Sequence, residues 1–271
     1  GAEGAKEMLG ILQGRAQALA GIPVILAIAL SQSILPIISA AHAVKDGNEV
    51  ERQTSLALRV SLISGIPVIV VMSTAVFPLN TFIFGDAKGS WIIVALVCSV
   101  LFQIVMSISG SILLGLDRPD LPMKHIGVGV AVKLLLSFAL APLFDIYGIV
   151  AATALCFATT MALNIRSLKR MVRFSLMGRR AAPFAVTVAL QAAAGAASAW
   201  AAYRYLHPFG HPLPDALLQT AVACGIGAAV YPVLLLRTGA LTVDDIATMP
   251  NAIRKLWRRA EPALSKLRIM R

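Results

Sequence analysis

One lysine stands in the middle of a long apolar segment, and it is the residue of this sequence best suited to bind an anion. Lys133 is the only charged side chain between His125 and Phe144. A lysine at the centre of a bilayer costs about 2.5–3.5 kcal/mol on insertion scales, so it should face a bundle interior or a wet cavity. Two interpretations stay open. Lys133 contacts an anionic substrate or a partner carboxylate, or it is a snorkelling or paired structural lysine.

Further polar residues occur at the edge of or inside apolar runs. Arg15 directly precedes the first long run, Ser31 and Gln32 lie within it, and Gln103 and Ser107 lie within the third. Arg15 is either a cation at the mouth of a cavity or an interface anchor. The two polar patches either line a cavity or form hydrogen bonds between helices, as polar groups in membrane helices often do.

Prolines interrupt two of the apolar runs in a similar pattern. Pro23 and Pro36 lie in the first run, and Pro67 and Pro78 lie in the second, with Gly65 just before Pro67. A proline inside a helix removes a hydrogen bond and bends the helix. Paired Gly and Pro interruptions are typical of moving helices in transporters, so these five residues are hinge candidates. The alternative is a set of passive kinks.

The sequence contains no pattern typical of an enzyme or of a metal site. Gly-rich phosphate loops, HExxH and GxSxG are all missing, and the three cysteines lie in separate apolar runs without a CxxC pair. We therefore predict no catalytic residues, no metal and no cofactor. No Asp or Glu lies inside an apolar run, although cation-coupled transporters usually place carboxylates there.

The elements that must position these residues follow from composition. Of the 271 residues 58% are hydrophobic and 14% are charged, against about 45–50% and 25% in soluble proteins. A bilayer core about 30 Å thick needs roughly 20 apolar residues of helix. Seven runs meet this requirement: 16–41, 60–85, 89–116, 125–144, 146–165, 181–203 and 216–236. They lack the alternation of barrel strands, so we predict an all-α integral membrane protein with about seven transmembrane helices.

The basic residues determine the expected orientation. The net charge is +11, and 19 of the 24 Lys and Arg residues fall on one side if the N-terminus is outside. The positive-inside rule then places the C-terminus in the cytoplasm and explains the basic charge without nucleic acid. After Leu236 the tail has an amphipathic pattern with basic residues on one face, which predicts binding to anionic lipids. The alternative is a partly disordered tail. An odd number of spans with an outside N-terminus also predicts a further N-terminal half.

Several short motifs, in this order, carry a resemblance. They are the segment from Pro23 to Ser39, Leu58-Arg59 with Gly65-Ile66-Pro67, the segment from Gly110 to Pro119, Lys133, and the segment from Tyr147 to Thr153. Between about Leu9 and Arg170 the chain resembles the stage V sporulation protein B branch of polysaccharide biosynthesis proteins, within the multidrug/oligosaccharidyl-lipid/polysaccharide exporter superfamily.

The resemblance implies a two-lobed carrier of about fourteen spans that works by alternating access. Residues 1–170 would contribute helices of the C-terminal lobe, 171–237 two peripheral transmembrane helices, and 238–271 a cytoplasmic basic tail. The implied function is a flippase for lipid-linked polysaccharide or peptidoglycan precursors in the bacterial cytoplasmic membrane. Its partners would be the N-terminal lobe and an undecaprenyl-linked glycan. The alternatives are a cation-coupled multidrug exporter and a non-transporting scaffold for envelope or sporulation assembly. A membrane-embedded glycosyl transferase is disfavoured because it would need an acidic catalytic residue.

Overall fold

The computed structural model describes residues 2–175, 178, 181–206, 208 and 210–238, and within them every regular element is a helix. A short π-helical turn, Ile11–Ala16, joins the first two helices. The helices are α1 (Ala2–Gly10), α2 (Gln17–Ala43), α3 (Gly47–Phe84), α4 (Ser90–Gly115), α5 (Asp120–Met171), α6 (Ala181–Tyr205) and α7 (Pro212–Arg237).

Six helical segments of the described chain are long and apolar enough to cross a membrane. One of them, α5, has 52 residues, which at about 1.5 Å per residue greatly exceeds the thickness of a bilayer. The helix is broken at Asp145, where φ is 48° and ψ is −129°.

The break at Asp145 turns α5 into an antiparallel hairpin. A Cβ on Gly148 would lie 2.4 Å from the backbone oxygen of Leu140, and one on Gly129 would meet the side chain of Thr160. The first arm, residues 120–144, therefore packs closely along the second arm, residues 146–171. The predicted all-α membrane protein with about seven crossing helices is confirmed.

The helix α3 begins earlier than its apolar run. Residues 47–59, which precede the predicted run 60–85, already belong to this helix. Asp46 caps this helix, since its side chain accepts a hydrogen bond of 3.0 Å from the backbone N–H of Glu49. The charged side chains of this segment lie on a helical extension, which a hydropathy pattern cannot distinguish from a loop.

The centre of the bundle is α4, which packs against α2, α3 and α5. Its side chains Ile93, Ile108 and Leu113 are fully buried. The helices α6 and α7 pack against each other and against α3. The predicted basic tail after Thr238 lies outside the described residues.

Candidate functional site

Lys133 lies midway along the first arm of α5, at a partly exposed position. On the second arm, the charge of Lys133 acts on the thiol of Cys156. Among the described residues no carboxylate lies within ion-pair distance of the Lys133 ammonium. Leu134 and Leu135, its neighbours in sequence, are 56% and 71% exposed. The middle of the arm therefore presents one cation amid a largely apolar, open surface.

The polar groups of α2 are divided between the interior and the surface. Ser31 is buried, and its hydroxyl has no hydrogen-bond partner among the described residues. The next residue, Gln32, is exposed. A buried hydroxyl usually finds a partner, so Ser31 is the polar group of this helix that most needs one.

The polar side chains predicted on α4 are partly buried. Gln103 and Ser107 are both half-buried, while Ser109 is buried and donates a hydrogen bond of 2.7 Å to the backbone oxygen of Val105. Because α4 packs against both α2 and α5, the helices that carry the polar patches and Lys133 are neighbours. No hydrogen bond joins Lys133 to Ser31, Gln32, Gln103 or Ser107 in this part of the chain.

Arg15 is placed in an ion pair rather than in an open cavity. It lies on the π-helical turn, and its guanidinium forms a two-pronged contact with the Asp86 carboxylate in the loop after α3, with one prong at 3.2 Å. The same guanidinium stacks over the Phe84 ring at 5.1 Å. Close by, the Lys88 ammonium lies 3.3 Å from a carboxylate oxygen of Glu7. The arrangement fastens the N-terminal segment to the α3–α4 loop.

The Asp86 carboxyl is held in its charged form. Hydrogen bonds from Arg15, and then one from the backbone N–H of Lys88, lower the pKa of this carboxyl. A lowered pKa means that the pairing stabilises the fold above the ordinary pKa of aspartate, and that this contribution is lost as the pH falls through the folded value.

The hinge candidates lie inside continuous helices. α2 runs through Pro23 and Pro36, and α3 runs through Pro67 and Pro78. At Gly65 the backbone approaches α4 so closely that a Cβ there would lie 2.7 Å from the Cδ1 atom of Ile104. Whether these positions flex stays a prediction.

Pro67 has a further role that the sequence did not reveal. Its ring leaves the carbonyl of Ile63, four residues earlier, without its usual N–H donor. The hydroxyl of Tyr231 on α7 donates a hydrogen bond of 2.6 Å to that carbonyl. The side-chain amide of Gln191 on α6, which is fully buried, donates to the carbonyls of both Pro67 and Gly227 at 3.3 Å. The segment of α3 around Pro67 is thus one of the places where α6 and α7 attach to it.

Sequence reasoning also missed a polar network in the α5 hairpin. The ring of His125 forms hydrogen bonds with the side-chain oxygen of Asn164 at 2.7 Å and with the hydroxyl of Ser167 at 3.3 Å. The amide of Asn164 donates to the carbonyl of Met106 on α4 at 3.2 Å. The signal was present in the sequence, because Asn164 is an amide within an apolar run and such residues commonly bond between helices.

A buried carboxylate lies at the edge of the last predicted run. Asp215, just before the last predicted run, lies in the first turn of α7 and is 5% exposed. In the described part of the chain no three His, Cys, Asp or Glu side chains are grouped so as to hold a metal ion.

Comparison with known proteins decides the family. The family model described as lipid II flippase MurJ matches residues 14–212, which include α2 to α6 and both Lys133 and Arg15. The chain belongs to the MurJ family. This membership confirms the flippase superfamily that the sequence motifs indicated, and it makes the chain a member of a transporter family.

Two relatives from Bacillus subtilis (strain 168) align with nearly the whole chain. An uncharacterized membrane protein, YabM, is 26% identical over 96% of the chain and 48% of its own length. The lipid II flippase MurJ is 24% identical over 92% of the chain and 47% of its own length. The chain therefore spans about half the length of the curated relatives it matches.

Proposed function

We propose that the chain forms the C-terminal half of a flippase that moves a lipid-linked polysaccharide or peptidoglycan precursor across the bacterial cytoplasmic membrane by alternating access. Membership of the MurJ family supports the transport of a lipid-linked precursor. The observation that carries the proposal is Lys133, a cation midway along a crossing helix with no carboxylate of the described residues beside it. Such a charge is costly in hydrocarbon, so it requires water or an anion nearby.

The mechanism is physical, and no covalent bond is made or broken. A phosphate-bearing headgroup enters a wet cleft between two lobes while its polyprenyl tail stays in lipid. An ammonium group attracts phosphate more strongly in the low dielectric of such a cleft than in bulk water, which offsets part of the lost hydration. Rocking of one lobe against the other then exposes the headgroup to the opposite side.

We further propose two partners for the chain and an arrangement of its helices. An N-terminal lobe supplies the other wall of the cleft, and an undecaprenyl-linked glycan is the substrate. Residues 1–170 form the lobe, 171–237 the peripheral helix pair, and 238–271 a cytoplasmic tail that binds anionic lipids. The assignment to the sporulation branch stays a prediction, as do the hinge roles of Pro23, Pro36, Gly65, Pro67 and Pro78.

The proposal is tested in the full-length protein with Lys133→Ala, Lys133→Arg and the matched control Leu135→Ala. We expect Lys133→Ala to reduce flipping of a lipid-linked precursor in vesicles by at least about tenfold, the effect of losing about 1.4 kcal/mol. Lys133→Arg keeps the charge and should retain most of the activity. Leu135→Ala, two residues away, should behave as wild type.

Each result is interpreted at equal amounts of protein in the membrane. Full activity of Lys133→Ala removes the lysine from the cleft. Wild-type protein that flips no lipid-linked sugar contradicts the function itself. Equal losses in Lys133→Ala and Leu135→Ala would mean that the helix tolerates no change, and the charge would then have no special role.

A further inference from the structure

One buried amide, Asn164 on the second arm of α5, joins three helical segments of the lobe. Its side chain is part of a residue that is only 2% exposed. The amide nitrogen donates to the carbonyl oxygen of Met106 on α4 at 3.2 Å, and the amide oxygen lies 2.7 Å from the Nδ1 atom of His125 on the first arm. We call these two hydrogen bonds of Asn164 the asparagine clamp.

The clamp determines which ring nitrogen of His125 carries the proton. A carbonyl oxygen only accepts, so the atom of Asn164 that faces Met106 is the amide nitrogen and its oxygen faces the ring. That oxygen needs a donor, so Nδ1 of His125 carries the proton. In the neutral ring Nε2 then accepts from the hydroxyl of Ser167, 3.3 Å away. Both ring nitrogens and both ends of the amide have partners, and such a fully bonded buried network is rigid.

From the clamp towards Lys133 the two arms keep one register. One turn beyond His125, a Cβ on Gly129 would meet the side chain of Thr160 and lie 3.1 Å from the carbonyl oxygen of Cys156. One further turn leads to Lys133, whose charge acts on the thiol of Cys156. Each step of four residues along the first arm is matched by a step of four back along the second arm. The clamp, the glycine contact and the lysine therefore follow a single antiparallel register.

This register matters because a lysine side chain is flexible. Among the described residues no carboxylate holds the ammonium of Lys133. The direction of the ammonium therefore depends on the rotation and height of the first arm. The clamp is eight residues away from Lys133 along this arm, about 12 Å at 1.5 Å per residue. At that distance it acts on the ammonium only by holding the backbone that carries it.

We propose that Asn164, acting through His125, is a positioning residue for the transported precursor, because it holds the first arm so that the ammonium of Lys133 faces the anionic headgroup. The inference rests on the proposed function. A binding group keeps its place only when its supporting residues are themselves fixed by packing and hydrogen bonds. Without the clamp the first arm is free to rotate or slide against the second, and the cation is displaced from the headgroup.

The first test measures the register without any transport. Full-length protein that carries Lys133→Cys and keeps Cys156 as its only other cysteine is oxidised with copper phenanthroline. We expect a disulfide between the two positions, and none when Leu135→Cys, on the other side of the arm, replaces Lys133→Cys. Asn164→Leu should slow disulfide formation at least about fivefold, because the geometry of a disulfide is strict.

A matched variant controls for general loss of stability. Gln191→Leu also removes a buried amide that bonds two helices, but it does so on α6, away from the α5 hairpin. It should leave the rate of disulfide formation unchanged.

The second test measures flipping in vesicles as the content of a lipid-linked precursor is raised, with Lys133 present. Asn164→Leu should raise the content needed for half-maximal flipping at least about fivefold, as the loss of one hydrogen bond can. The maximal rate should stay within about twofold, which is the signature of weakened binding. His125→Leu should act alike, whereas His125→Asn, whose amide nitrogen replaces Nδ1 as donor, should behave as wild type. Gln191→Leu should not change the half-maximal content.

The outcomes separate the positioning role from the proposed function. If Asn164→Leu does not reach the membrane, His125→Leu breaks the same bond from the other arm and takes its place in both tests. An unchanged disulfide rate without the clamp, no disulfide with it, or equal losses in Gln191→Leu overturns the positioning role. Wild-type protein that flips no lipid-linked sugar contradicts the proposed function, and the role of Asn164 in transport is then overturned even if the disulfide forms as expected.

Discussion

At Pro67 a missing amide proton leaves a free carbonyl on α3, and a side chain of the peripheral helix α7 binds it. The freed carbonyl of Ile63 would be costly if left without a donor in an apolar surrounding, and Tyr231 supplies that donor from α7. The proline was visible in the sequence and indicated a hinge. Its bonded partner was not visible, because Tyr231 lies far along the chain and a tyrosine near the end of an apolar run usually indicates an interface.

A double-mutant cycle tests this coupling. Tyr231→Phe should lower the free energy of unfolding by about 1 kcal/mol, because the Ile63 carbonyl loses its donor. In a Pro67→Ala background residue 67 regains its N–H, so the same change should cost close to nothing. Unfolding of the purified full-length protein in one detergent measures both values, and Tyr147→Phe on the exposed surface is the control. An equal cost of Tyr231→Phe in both backgrounds would mean that the hydroxyl does not compensate for the amide proton missing at Pro67.

At the scale of the residue, the ion-pair partner of Arg15 could not be predicted from the spacing of residues in the sequence. A cation at the edge of an apolar run is compatible with a cavity mouth and with an anchor, and the sequence left both open. Its partner Asp86 lies 71 residues away, so only the folded α2–α3–α4 arrangement could bring the two together. Lys133 has no such carboxylate partner among the described residues. The two cations therefore have different environments, one paired and one without an ion pair.

At the scale of the element, the hairpin of α5 was largely predictable. Two apolar runs that meet at Asp145 predicted two crossings with a charged residue at the turn. The pattern could not predict how tight the turn is, since this depends on Gly148 lying directly against the backbone of Leu140. The helical extension of α3 was missed because charged residues between apolar runs are compatible with both helix and loop.

The tight turn predicts opposite effects of two glycine substitutions in α5. A Cβ at Gly148 would lie 2.4 Å and 2.6 Å from the backbone oxygen and carbon of Leu140, and a backbone cannot move aside as a rotamer can. Gly148→Ala should therefore destabilise the protein by about 1–3 kcal/mol, as overpacking does. Gly127→Ala meets no atom within 4 Å and should stabilise the helix by about 0.5–1 kcal/mol. Thermal unfolding in one detergent compares them, and a neutral Gly148→Ala would show that the arms are further apart.

In the whole molecule, if a second lobe faces α5, the exposed surface of α5 contacts both lipid and water. The chain spans about half of its curated relatives, and the first arm of α5 leaves most of its apolar side chains uncovered, among them Leu135 and Phe138. One side of the arm must then face lipid and another the water of a cleft. Lys133 and Leu135 are two residues apart, which places them on nearly opposite sides of the helix.

Cysteine labelling in the full-length protein distinguishes these two sides. In a background without Cys98, Cys156 and Cys224, and without any cysteine outside this chain, Lys133→Cys should react with a membrane-impermeant maleimide at least about ten times faster than Leu135→Cys, because the reactive thiolate forms in water and not in hydrocarbon. Adding a lipid-linked precursor should slow the reaction at position 133 only. If the two positions react at equal rates, the arm has no wet side, and the lysine would then reach the membrane surface by snorkelling instead of lining a transport path.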